Sequence, residues 1–407
     1  MTDFAVRPIT DDERRPTFAL LMQSLHAHAP SDESWREYAQ SWAAERKFGA
    51  FAENRPIGIT GSFDTETIVP GGARLSTGAV DGVGVRADWT RRGVVSALMR
   101  TQLEDFVARG VTLAALYASE AVIYGRFGYG AATLGRSIRV EHPARFRDSA
   151  PVTGTVRLLD EDAAVVQIPT LYQRIISRAP RPGLLARPAY WWPNEHNRQV
   201  RRGGGYRVAV HTGLNGEDDG FAVFRSVDRT STDDPEKRSL LDVRDLNGAN
   251  PAAIAGLWRF LLSIDLVGTV VARDRPVDEP VGVLLTDPRR AHTAELGDQL
   301  WVRLVDVSDA LAARTYGAAD PVVLALTDPQ LPANTGHYAV GPDGAHRTDA
   351  PADLQLDSET LAMLYLGEWR ATTLLQAGRL TATDPSAAAR ADTLFTTERS
   401  PWCGTHF

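Results

Sequence analysis

A single cysteine in 407 residues, Cys403, excludes an intramolecular disulfide and a multi-thiolate zinc site. It has no evident base partner and reads as a small packed hydrophobe. Basic excess is also missing. The formal charge is −7, and phosphate-backbone binding needs a net basic face, so nucleic acid is not an expected partner. No stretch approaches the roughly 18 uninterrupted apolar residues of a membrane span. The start, MTDFAVRPITDDERRP, is charged and has no apolar h-region, so no signal peptide is expected and the expected location is cytoplasmic. His26 and His28 stand two apart with no third ligand at hand, and GLNGEDDG lacks the oxygen spacing of a calcium loop. No metal is expected.

What is present is ordinary globular composition, 43% hydrophobic and 23% charged, in a chain too long for one core. FAVRPI reads as a first strand, and Glu53-Asn54-Arg55-Pro56 between two apolar runs is a hairpin signature. RLSTGAVDGVGV is a long strand punctuated by glycines. WTRRGVVSALMRTQLEDFVARG is a helix by the three- and four-residue recurrence of Val95, Leu98, Met99, Leu103 and Phe106, closed by Gly110. VTLAALYAS follows as a buried strand. Further on, three strands, the helix PAAIAGLWRFLLSI and the strand GTVVARD repeat this order, with Asn250 as N-cap and Pro251 at the first helical position. From about Ala291 the chain changes character: LWVRLVDVSDALAARTYG gives a strand and short helix, then an antiparallel sheet with helices on one side.

Two stretches carry chemistry. In GVGVRADWTRRGVVSAL a glycine-broken strand runs through Arg91-Arg92-Gly93 into a helix start, where unpartnered N–H groups and the dipole favour an anion such as pyrophosphate. The same residues read equally as a plain strand–turn–helix with two solvated arginines. In ASEAVIYGRFGYG, Tyr124 lies one turn beyond the buried strand. Its phenol could protonate a leaving thiolate, or it could be a core tyrosine beside Phe127 and Tyr129.

In their order, these segments resemble the GCN5-related N-acetyltransferases. VGVRADWTRRGVV, ASEAVIYGRFGYG, DGFAVFR, LYLGEWRATTL and the aromatic last residue resemble more closely the Eis (enhanced intracellular survival) acetyltransferases, over essentially the whole chain. That resemblance implies an α/β (α+β) chain of three parts: an acetyl-CoA-binding acetyltransferase domain over 1–150, a degenerate one over 151–290, and a domain like sterol carrier protein over 291–407. It places acetyl-CoA contacts on Val83, Gly84, Val85, Arg91, Arg92, Gly93, Val94, Val95, Ser96, Ser119 and Glu120. Tyr124 takes the role of general acid and the carboxylate of Phe407 that of general base. The resemblance also implies aminoglycosides as acceptors and a homohexamer.

Departures are visible. Thr90 stands where the family often has a third arginine, no proline lies between Val85 and Thr90, and Val95 makes the turn bulky. In the central part DVRDLNGANPAAIAGL has no Arg-Arg-Gly turn, and Pro251 offers no N–H, so coenzyme binding there is not expected. Asp32, Glu33 and Glu37 with Trp35 are candidates for the amine site and equally a solvated helix face. Arg201-Arg202 beside a glycine run reads as a loop. A protein or peptide lysine acetyltransferase, or a non-catalytic lipid binder using the C-terminal domain, are the alternatives.

Overall fold

Strands buried in continuous runs, such as the LAALY of β5, build the first sheet from β1 (Ala5–Pro8), β2 (Arg46–Ala52), β3 (Arg55–Ile68), β4 (Arg74–Val85), β5 (Leu113–Tyr117) and β6 (Gly130–Ala131). The computed structural model describes residues 4–44, 46–197, 200, 205–227 and 239–407. They fall into two compact units. The first comprises Met1–Ala132, Leu300–Glu398 and His406–Phe407; the second, Thr133–Gln299 and Arg399–Thr405. Arg201-Arg202 lie outside the described residues.

In the first unit, Glu53 and Asn54 both take left-handed φ (48° and 61°) and close the β2–β3 hairpin at Ala52↔Arg55. This is the geometry of a two-residue turn matched to strand twist. Helices α1 (Arg14–Ser24) and α2 (Asp32–Ala44) precede β2, and α3 (Val94–Ala108) joins β4 to β5. Leu98, Met99, Leu103 and Phe106 of α3 are each at most 1% exposed. Burial of that order contributes about 1.5–3 kcal/mol per large apolar side chain. Gly110, at φ 67°, follows the helix as expected.

The second unit repeats the plan with β7 (Leu134–Glu141), β8 (Thr155–Leu159), β9 (Arg207–Thr212), β10 (Asp218–Val227), β11 (Ser239–Gly248), β12 (Val267–Arg275) and β13 (Ala291–Asp298). Its longer helices are α5 (Glu161–Arg178) and α6 (Pro251–Leu261), counting the short α4 (Ala121–Tyr124) of the first unit. Asn250 caps α6 by accepting the Ala253 N–H at 2.8 Å, with Pro251 at the first position, as the sequence predicts. The core is built around Trp258, Leu257, Leu261, Val243 and Val270.

One feature departs from sequence order. The strand Leu300–Leu304 (β14) lies antiparallel to β5, so the first sheet runs β1-β2-β3-β4-β5-β14-β6. β7, although it follows β6, pairs with β12, giving β13-β7-β12-β11-β10-β9-β8. The first sheet thus takes its β14 from beyond the whole run of chain, β7 to β13, that forms the second.

The remaining sheet, in the first unit, contains β15 (Val322–Thr327), β16 (Gly336–Gly341), β17 (Gly344–Thr348), β18 (Leu354–Asp357) and β19 (Leu380–Ala382). Its order is β17-β16-β15-β18-β19. The sheet is mixed rather than antiparallel, because β15 and β18 pair in parallel. Among the described residues no helix is long and apolar enough to cross a membrane.

Candidate active site

β4 and β5 run parallel through only three register pairs, Thr77↔Leu113, Gly78↔Ala114 and Ala79↔Ala115, and then separate. Opposite β3 the register slips between Ile59 and Gly61, so that Gly82 and Val83 face a single residue, with Gly82 at φ 72°. This is a bulge, which bends the strand. Beyond it the Arg86 N–H donates to the Ile57 carbonyl at 2.9 Å. Antiparallel alternation then directs the Val85 N–H away from β3 and into the wedge between β4 and β5. Gly84 is buried beneath Leu21 and Ser24 of α1.

The wedge opens onto the start of α3. Arg86 is held by Asp88 (2.6 and 2.9 Å), the Thr90 hydroxyl donates to the Ala87 carbonyl, and Arg92 lies 4.9 Å from the Trp89 ring centroid. Arg91 and Arg92 are exposed, and Arg91 itself takes φ 61°. Gly93 is the N-cap at φ 82°, with no side-chain cap, and a Cβ there would meet nothing within 4 Å. Glycine is therefore required by the left-handed backbone, and the position faces open space. Ala97 makes the first intrahelical bond, to the Gly93 carbonyl, leaving the amides of Val94, Val95 and Ser96 as the helix's unpartnered donors. The side chain of Val94 is buried in the core, while Val95 packs partly against the cluster that holds Met99 and Tyr124.

Tyr124 ends α4, is 5% exposed, and meets Tyr129 edge-on with ring centroids 6.3 Å apart. Burial pushes its phenol above the ordinary value near 10 and the nearby Glu120 charge adds to this, while Ser119 pulls the other way. The hydroxyl therefore keeps its proton across the neutral range. Ser119 and Glu120 themselves are exposed at the end of β5.

The tail is anchored rather than frayed. In the second unit the Trp402 N–H donates to the Pro182 carbonyl (2.8 Å), and Arg187 donates to the Gly404 carbonyl (2.9 Å) and the Thr405 hydroxyl (3.1 Å). Cys403 is wholly buried. In the first unit His406 stacks on Tyr117 at 4.5 Å, and the Phe407 ring stands edge-on to both Phe63 (5.2 Å) and Tyr117 (5.3 Å). Phe63 is the register partner of Ala79, which pairs with Ala115, the last shared row before β4 and β5 part. The terminal ring thus lies at the foot of the wedge. Tyr117 and Phe63 carry no motif that marks them in the sequence; only the position of Tyr117 at the end of a buried strand points to it.

On α2, Asp32 is exposed and ion-paired with Arg15, and Glu33 is exposed. Trp35 packs against Phe18 at 5.5 Å. The Glu37 side chain lies outside the described residues. His26 and His28 are exposed. On the same sheet, Lys47, Gly61 and Asp81 are register neighbours across β2, β3 and β4. Lys47 lies over the Trp42 ring at 4.0 Å. Burial lowers its ammonium from 10.5 to about 8, against the opposing pull of Asp81.

A bulged, splayed strand pair ahead of a glycine-started helix is the architecture of an acetyltransferase fold. Two matches to the acetyltransferase (GNAT) domain cover residues 5–132 and 183–304, and a sterol carrier protein domain matches 307–404. A Streptomyces coelicolor protein described as an uncharacterized N-acetyltransferase is 40% identical over 355 residues, 85% of this chain and 84% of its own. N-acetyltransferase Eis of Mycobacterium tuberculosis is 33% identical over 366 residues, 86% and 85% of the two chains. The crystal structure of Eis1 from Mycobacterium abscessus superposes with a TM-score of 0.88 at 33% identity, covering 99% of this chain and all of that one. The chain belongs to the Eis family of N-acetyltransferases.

Proposed function

We propose that this enzyme transfers the acetyl group of acetyl-CoA directly to a primary amine of an aminoglycoside-like polyamine, at one or several positions, with the Phe407 carboxylate as base. The observation that carries this reading is the seat of the last residue on Phe63 and Tyr117. Residues 1–150 then bind acetyl-CoA, 151–290 form a degenerate copy, and 291–407 deliver the carboxylate.

Acetyl-CoA supplies an activated thioester when bound. The strand Val83-Gly84-Val85 offers its backbone to the acyl arm, and the Val85 N–H donates to the thioester oxygen as charge develops there. Arg91, Arg92 and the amides from Gly93 through Val94, Val95 and Ser96 hold the pyrophosphate. Ser119 and Glu120 flank the mouth of the wedge. The incoming ammonium gives a proton to the Phe407 carboxylate, directly or through water. The amine nitrogen then bonds to the acetyl carbon as the C–S bond breaks, and Tyr124 gives its proton to the departing sulfur. The surplus proton on the new amide nitrogen restores the phenol through water, and the Phe407 carboxyl sheds its proton to solvent. The acceptor lies against α2, where Asp32, Trp35 and Glu37 supply charge and an apolar wall.

Family resemblance supports a homohexamer, which light scattering measures directly, and use of acetyl-CoA supports a cytoplasmic location. Coenzyme A release from acetyl-CoA, assayed against a panel of aminoglycosides and lysine peptides, tests the substrate. The reading predicts turnover with aminoglycosides, with more than one acetyl group found on each product. Turnover confined to peptides transfers the activity to protein acetylation.

A further inference from the structure

The second unit repeats the geometry that opens the wedge of the first. β11 and β12 pair in parallel only as far as Val243↔Ala272. Just past that row β11 bulges against β10, where the register slips between Val223 and Phe224. The positions directly past the bulge, held by Gly84 and Val85 in the first unit, fall here on Asp245 and Leu246. This fork receives the protein's own groups. Arg275 of β12 donates to the Leu246 carbonyl of β11 at 2.7 Å. At the helix start Pro251 offers no N–H, and the Asn250 side chain already takes the Ala253 amide.

Residues 402–405 are built into the same fork. The Trp402 indole N–H donates to the Asp274 carbonyl near the end of β12 (2.5 Å), and its ring centroid lies 4.9 Å from the Arg275 guanidinium. On the β11 side the tie is Arg187, each of whose three nitrogens has its own acceptor. One meets the Asp245 carboxylate at 2.6 Å, one the Gly404 carbonyl at 2.9 Å and one the Thr405 hydroxyl at 3.1 Å. The rings of Tyr172 and Trp191 stand 4.1 and 4.6 Å from the guanidinium. Arg187 is 3% exposed and Thr405 2%. A planar guanidinium with all its nitrogens committed holds its partners in one geometry, and its bonds are charge-assisted. The tail also closes on itself. Gly404 has φ 62°, and a Cβ there would meet the Trp402 indole at 2.3 Å. Only His406 separates Thr405 from Phe407, so the clamp fixes the point from which the last two residues leave.

We infer that the strand fork of the second unit is a receptor for the chain's own C-terminal tail, and that Arg187 is the positioning residue that sets the last two residues for the reaction. The inference rests on the reading of the Phe407 carboxylate as base.

The full chain carrying Arg187→Gln tests it, beside the parent enzyme and the parent with Phe407 amidated. For the variant a fall in kcat of about tenfold or more is expected, with the acetyl-CoA KM, a check on the fold, within about twofold of the parent. Carboxypeptidase A is expected to remove Phe407 from the variant about tenfold faster or more, since the tail then opens without the rest of the domain. Thr405→Val keeps the side-chain shape and loses only the hydroxyl that Arg187 addresses. It is expected to move both readouts the same way, and it decides alone if loss of the buried Arg187 prevents folding. Where amidation abolishes turnover, parent kcat in the folded variants, or a loss of kcat with release of Phe407 unchanged, overturns the inference. If amidation leaves kcat intact, the base reading fails by itself. The release assay then decides the clamp, faster release upholding it and unchanged release overturning it.

Discussion

The Phe407 ring stands edge-on to Tyr117, with centroids 5.3 Å apart and planes at 79°. Edge-to-face aromatic pairs are worth about 0.5–1.5 kcal/mol beyond their area. This pair, with Phe63, seats the ring of the terminal residue. Tyr117→Ala is expected to lower kcat at least tenfold with acetyl-CoA affinity retained, since an atom misplaced by about 1 Å costs rates of that order. Tyr117→Phe keeps the ring and is expected to restore most of the rate. Steady-state kinetics with calorimetric acetyl-CoA binding check both.

Tyr124→Phe removes the hydroxyl proposed as proton donor and leaves the ring. A lost general acid costs about 10²-fold or more in kcat. Because burial raises the phenol above 10, the parent enzyme is expected to show no alkaline fall attributable to Tyr124 below that pH. A pH–rate profile of the parent and the variant decides the point.

Lys47 links stability to pH. Unfolded, a lysine holds its proton up to about 10.5, whereas in the fold Lys47 releases it at about 8. Between those values the unfolded state carries more protons, so stability rises with pH across the window. Below about 8 the buried charge is a full cost, about 3 kcal/mol in scale. Lys47→Met is therefore expected to gain relative to the parent at pH 7 and to lose that relative gain by pH 10.5. Denaturant unfolding at the two pH values measures it. An equal difference at both contradicts the assignment.

Much of the wedge was legible in the sequence because local chemistry dictates it. Gly82 and Gly93 stand where the backbone needs left-handed φ, and Asn250-Pro251 starts a helix in the way the residue types predict. What could not be read was pairing between distant segments. Leu300–Leu304 reads as the opening strand of the C-terminal part, yet it completes the first sheet, and Leu134–Glu141 completes the second. An apolar strand shows that it will be buried but not which neighbour buries it. The parallel pairing of β15 with β18 was hidden for the same reason. The seat of Phe407 on Phe63 and Tyr117 joins the chain's last residue to two that lie hundreds of positions before it, and no local pattern marks such a contact.

The central claim concerns a carboxylate that no side chain supplies, so chemistry at the chain end tests it most directly. Acetyl transfer and thermal unfolding are measured for the enzyme with Phe407 amidated, and for a form extended by two glycines. The account predicts a fall in kcat of about 10²-fold or more with an unchanged melting temperature. Unchanged turnover in both forms would contradict it and place the base on another residue, Glu120 being the next to test.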